Sequence, residues 1–178
     1  MLCRNSIFAV VAAVLCTVAV AQTPAPKPPL SPAAKAEVAL SGASVTIDYS
    51  APSARGRVIF GGLVPYGQVW RTGANAATTL KTTGDLKIGS LIVPAGTYTI
   101  YSMPAEDGWK LIVNKQTGQW GTVYEGAQDL GRTALTTGAT PMPLETFVID
   151  FENTSGASTE LHLKWAGLDL SVPVSVAK

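Results

Sequence analysis

The sequence predicts an all-β domain: an antiparallel β-sandwich, Ig-like or jelly-roll-like, of about eight to nine strands. From Glu37 onward, short runs rich in valine, isoleucine, threonine, tyrosine and tryptophan alternate apolar with polar residues, and turn residues separate them at short intervals. No stretch keeps a helical apolar period for long enough to compete. An open barrel is the nearest alternative architecture.

Val45, Ile47 and Tyr49 share one face of a strand, with Thr46, Asp48 and Ser50 on the other. Leu86 and Ile88 lead through Gly89-Ser90 into Leu91-Ile92-Val93, which predicts a tight hairpin. Pro94-Ala95-Gly96 turns the chain into Tyr98-Thr99-Ile100-Tyr101, and Trp109, Leu111 and Val113 follow the turn-rich residues 104–108. Residues 115–128 have neither period and read as a long loop, a type of segment that is often functional in compact domains. Phe147, Ile149 and Phe151 alternate with Val148, Asp150 and Glu152, and Leu161, Leu163 and Trp165 with His162 and Lys164. Leu168, Leu170, Val172, Val174 and Val176 form a last apolar face, and Pro173 between them lacks a backbone donor. That strand is therefore expected at a sheet edge or with a bulge.

The N-terminus carries one cation, Arg4, then an apolar run from Ile7 to Val20 broken only by Thr17, then Ala19-Val20-Ala21. This predicts a signal peptide over residues 1–21, cut after Ala21, and an exported protein, periplasmic or secreted. The run is shorter than the ~20 apolar residues that spanning requires, so no membrane span is expected after cleavage. Cys16 suggests a lipoprotein alternative, but Leu15 stands where that processing wants a small residue. Cleavage removes Cys3 and Cys16, leaving a cysteine-free mature chain that a hydrophobic core alone must hold. Residues 22–36, with five prolines, read as a Pro/Ala-rich linker, less readily as a proline-rich docking ligand, and residues 37–178 as a single domain. The mature chain balances 12 Lys+Arg against 12 Asp+Glu with no basic run. That disfavours nucleic acid or an anionic membrane as the main partner.

Motifs for standard hydrolase, zinc or nucleotide chemistry are absent from the sequence. His162 is the one histidine and reads as a solvated strand residue beside Lys164. Glu106-Asp107, Glu145, Asp150 and Glu152 read as solvated turn or surface acids, although paired acids can cleave glycosides. No cofactor or metal is expected.

The densest chemistry lies between Gly56 and Asn75, where five glycines and one proline accompany Arg57, Tyr66, Trp70 and Arg71. Arg57 and Arg71 offer forked donors for a carboxylate, a sulfate or sugar hydroxyls, while Tyr66, Trp70 or Trp120 offers a flat apolar platform. The same residues suit a bracing role, with the arginines paired to Asp48 or Asp85 or capping loop carbonyls, and the tryptophan closing the core. Arg57, Tyr66, Trp70, Arg71, Asn75 and Trp120 are the candidate ligand-binding residues.

In these residues the chain resembles an exported bacterial family catalogued as domain of unknown function 2911. The resemblance rests on Tyr49-Ser50-Ala51-Pro52-Ser53, the run from Gly56 to Gly67, Val69-Trp70-Arg71-Thr72-Gly73-Ala74-Asn75, Pro94-Ala95-Gly96-Thr97-Tyr98, and Trp109 through Lys115. Weaker likeness extends to Trp120-Gly121, Glu145-Thr146-Phe147 and residues 161–165. Family membership implies an exported, β-rich domain with no established activity. Relatives often carry arginine at the position of Ala51 and an acid at that of Ala76, so this chain has a reduced polar set. The expectation is a non-catalytic binding module of the cell envelope or periplasm, for a small polar molecule or a glycan. An envelope-polymer hydrolase working through carboxylates, and a structural or protein-interaction domain with an envelope protein as partner, are the alternatives.

Overall fold

A computed structural model of the chain describes residues 29–104 and 108–178. The signal-peptide reading and both cysteines lie outside them, as does Glu106-Asp107. The strands are β1 (Ala33–Leu40), β2 (Ala43–Ser50), β3 (Thr79–Thr82), β4 (Leu86–Ile88), β5 (Leu91–Val93) and β6 (Gly96–Met103). They continue with β7 (Trp109–Asn114), β8 (Asp129–Ala139), β9 (Val148–Ser155), β10 (Ser158–Trp165) and β11 (Leu168–Val176). Helical structure among the described residues is one 3₁₀ turn, Gly126–Gln128, and no helix there is long and apolar enough to cross a membrane. β1 starts at Ala33, inside the stretch read as linker, and Ala36 is already buried.

All pairings between these strands are antiparallel, in the order β1-β2-β3-β6-β7-β8-β11-β10-β9, with the β4–β5 hairpin attached to β11. This is the expected all-β, antiparallel class, in the form of a nearly closed, barrel-like sheet. The long strand β8 makes it continuous: Asp129–Leu135 pair with β7, whereas Thr136–Ala139 pair with β11. The two ends of the order also meet. Beyond β2, Ser53 pairs with Thr146 ahead of β9, flanked by bonds from Ala54 N–H to Glu145 O (2.7 Å) and from Phe147 N–H to Pro52 O (2.9 Å). The Tyr49 hydroxyl accepts the Ile149 N–H at 3.0 Å. Such closure leaves little unpaired strand edge.

The period-2 faces are those expected in β2, where Val45, Ile47 and Tyr49 are buried, and in β10, where Leu161, Leu163 and Trp165 are. β6 and β7 break the alternation, because Tyr101 and Ile112 are as buried as their inward neighbours. Residues 115–128 lie over this outer face. Tyr124 packs edge-on to Tyr101 at 4.9 Å, and the Tyr101 hydroxyl donates to Val123 O at 2.7 Å. Pro173 lies neither on an edge strand nor in a register shift of β11. It sits, exposed, where β11 passes from β8 (Leu168–Ser171) to β4 (Val174–Val176) as its neighbour, a place where no ladder donor is required.

The outer face of β9, β10 and β11 carries a charge cluster, and His162 within it is buried rather than solvated. Its Nδ1 lies 2.8 Å from Asp169 Oδ1, and its Nε2 lies 3.6 Å from Oε2 of both Glu152 and Glu160. Imidazole nitrogens turned toward carboxylates do not form a nucleophile–base pair. Lys164 donates to Asp150 and Glu152. The Lys164 hydrogen bond holds the Glu152 carboxyl below its ordinary value of 4.5, against partial burial that pushes it up. A depressed carboxylate contributes stability above its unfolded-state value, and that contribution is lost as pH falls through the folded value. Melting temperatures should therefore fall as pH drops below the ordinary value of 4.5, and Lys164→Met should flatten that fall. The effect will be modest, since the Glu152 side chain is 43% exposed.

Candidate functional site

The glycine-aromatic block owes its path to an excursion beside β6. Trp70 and Ser102 exchange both backbone bonds (2.7 and 2.9 Å), and the Ile100 N–H donates to Thr78 O at 3.0 Å. A single β6 residue, Tyr101, thus separates two anchors that are eight residues apart on the neighbouring segment. Residues 71–77 must loop out. Thr72 (φ 49°) and Asn75 (φ 58°) take left-handed conformations within this loop, and Gly73 (φ 152°) lies in the same half of conformational space. For β-branched Thr72 this is a strained backbone, sustained only where its surroundings over-determine it. They do: Thr72 is fully buried, its hydroxyl donates to Ser102 Oγ at 3.0 Å, and its carbonyl accepts the Thr78 hydroxyl at 2.8 Å.

The loop and residues 115–128 border a solvent-open cleft of about 360 Å³. That is a ligand-sized space, near the lower end of the roughly 300–1,000 Å³ typical of small-molecule sites. The half-buried rings of Trp70 and Tyr124 supply aromatic wall, backed by the buried Tyr101 and Trp165; Arg57 and Arg71 supply charge, and Ser31, Gln68 and Thr122 neutral polar groups. The described residues lining it include no carboxylate and no histidine.

Trp70 serves both wall and core. Its ring stacks on Trp165 (centroids 5.8 Å apart, 18° between planes) and meets Phe147 edge-on at 5.1 Å. Arg57 caps carbonyls, donating through Nε to Ala54 O (3.0 Å) and through Nη2 to Ser53 O (2.7 Å). Asp48 is taken by Lys81 and Lys35, and Asp85 by the Ala95 N–H, so neither pairs with an arginine. Arg71 is different. It is half-buried, and its guanidinium has no hydrogen bond or ion pair among the described residues. Its stem lies against Gly121, where a β-carbon would come within 2.6 Å of Arg71 Cδ.

The other three candidates lie outside the cleft lining. Tyr66 is 41% exposed and sits over Gly61; Trp120 is 56% exposed and bridges to Ala76 through the backbone. Asn75 is a brace, its amide donating to Ser31 O at 3.3 Å and its carbonyl accepting the Gly121 N–H at 3.0 Å. Ala51 and Ala76 do not line the cleft either.

Tyr124, and behind it Tyr101 and Trp165, line the cleft without being among the sequence candidates, although residues 115–128, which carry Tyr124, stand out in the sequence by their lack of a period. A polar network fixes that loop. The Gln119 amide donates to the hydroxyls of Tyr101 (3.0 Å) and Thr99 (3.1 Å), and the Tyr124 hydroxyl donates to Asp129 at 2.7 Å. Arg132 binds the same Asp129 carboxylate through two nitrogens (2.8 and 3.0 Å). Burial, reinforced by the bond to Asp129, raises the Tyr124 hydroxyl above its ordinary value, so it stays protonated as a donor.

Over residues 31–174 the sequence matches the family described as "Protein of unknown function (DUF2911)". The chain belongs to this family. Neither a curated protein nor a solved structure matches it. The DUF2911 match spans both walls of the cleft, from Ser31 through the block to Trp165.

Proposed function

We propose that this chain is an exported, non-catalytic binding module of the cell envelope or periplasm that holds a small polar molecule or a glycan in the cleft between residues 71–77 and 115–128. The observation that carries this reading is Arg71: a half-buried guanidinium with no partner of its own among the described residues, placed by strained backbone at an aromatic-walled opening. Strained, over-determined backbone gathers at ligand sites. A two-carboxylate hydrolase would want facing acids across the cleft, and its described lining offers none. Export rests on the N-terminal pattern of a cation, a short apolar run and small residues before Gln22.

A glycan array and a thermal-shift screen of envelope sugars and organic acids test the binding reading. A ligand that binds only the folded state raises the melting temperature in a saturable way. No response from folded protein in either screen would defeat it. Export predicts that protein recovered from outside the cytoplasm starts at Gln22, which intact-mass measurement checks.

A further inference from the structure

Charge and shape at the cleft narrow the ligand class. Four arginines fall within the described residues. Arg132 is neutralised by Asp129, and Arg55 reaches away to the Leu30 carbonyl. Arg57 and Arg71 both line the cleft, and neither has an ion pair among the described residues. Arg57 spends two of its nitrogens on neutral carbonyls, which orient it without cancelling its charge. Two uncompensated cations in a lining without a described carboxylate attract an anion, and the apolar walls strengthen that attraction by displacing water.

The donor set selects among anions. A phosphate dianion is usually met by several donors at once, such as a helix N-terminus, a nest of backbone amides or a lysine. No lysine lines this cleft, and no helix reaches it. One free planar fork, that of Arg71, matches the two oxygens of a single carboxylate. Around it, the half-buried rings of Trp70 and Tyr124 leave apolar surface for the body of the ligand.

We propose that the cleft takes a monocarboxylate borne on a ring of monosaccharide or arene size, the carboxylate held by the fork of Arg71 and attracted by the charge of Arg57. This rests on the binding reading above and names its ligand class.

The test titrates the full mature chain with D-glucuronate, N-acetylmuramate and benzoate at millimolar concentrations, following tryptophan emission. Glucose, the methyl ester of glucuronate and inorganic phosphate serve as comparisons. At least one acid should saturate the signal, and its neutral counterpart should bind at least about tenfold more weakly. Arg71→Met keeps the apolar stem on Gly121 but removes the fork. It should weaken the acid about tenfold or more while leaving the melting temperature unchanged, and Arg71→Lys should restore part of the affinity. Equal binding of glucuronate and its methyl ester overturns the charge claim yet leaves a binding module standing. Phosphate binding as tightly as the acids overturns the carboxylate claim in the same way. Failure of all three acids overturns this proposal, and the neutral glycans of the array then decide whether the broader reading survives.

Discussion

Replacing Trp165 by alanine is expected to lower the free energy of unfolding by about 3–5 kcal/mol. The ring is 1% exposed, stacked on Trp70, tilted against Phe147 at 5.9 Å and edge-on to Phe60 at 6.5 Å. Its Nε1–H also donates to Glu145 O at 3.1 Å, tying β10 to the segment that closes the sheet. Truncation would leave a void among three aromatic rings and remove one of the two hydrogen bonds that carbonyl accepts, the other coming from the Ala54 N–H. Urea titration should show the midpoint falling with an unchanged slope, the sign of lost stability without a change in the surface exposed. Ligand binding should fall too, since Trp70 would lose the ring that fixes its angle. Arg71→Met, by contrast, should stay within about 0.5 kcal/mol of the parent, because the guanidinium holds nothing in place. If Trp165→Ala costs less than about 1 kcal/mol, the aromatic cluster is not the keystone of the cleft.

The contrast between these two residues answers a question that sequence could pose but not decide. Arginines and a tryptophan in one block suit a brace and a binding site equally, and the structure divides the roles among them. Arg57 and Asn75 brace, Trp70 does both, and of the two cleft arginines Arg71 keeps its guanidinium donors free among the described residues. Strands such as β2 were legible because one face meets the core and the other is half-buried or exposed, so burial follows the period of two. β8 was not. In Asp129–Ala139 only Thr133 and Leu135 are buried, so its sequence shows no apolar face. Missing β8 also hid the closure, because alternation reports which face is buried and is silent on a strand that changes neighbours halfway. Tyr101 and Tyr124 escaped notice for a related reason: their meeting depends on residues 115–128 folding back over β6, a long-range contact without local signal. His162 looked solvated because its face of β10 is polar, but Asp169, Glu152 and Glu160 crowd its ring.

Gly121→Val should disable the cleft by a different route. A β-carbon at Gly121 would lie 2.6 Å from Arg71 Cδ and 2.8 Å from Asn75 O. The arginine stem can swing aside, but the Asn75 carbonyl is backbone, held in a left-handed residue and bonded to the Gly121 N–H itself. Relief therefore requires residues 71–77 and 115–128 to part. Overpacking of this kind typically costs about 1–3 kcal/mol, and valine adds two methyl groups to the clash. Equilibrium unfolding should show that loss. Titration with whichever acid the parent binds should show affinity falling at least as far as in Arg71→Met, because the fork is displaced rather than removed. Gly126→Ala in the same loop is the matched control: its β-carbon meets nothing closer than the Tyr124 hydroxyl at 3.4 Å. That change should stay within about 0.5 kcal/mol and leave binding intact. If Gly121→Val were as mild as Gly126→Ala, residues 115–128 would not be fixed against Arg71. The fork would then have no rigid wall behind it, and the preorganisation on which selective carboxylate binding depends would be gone.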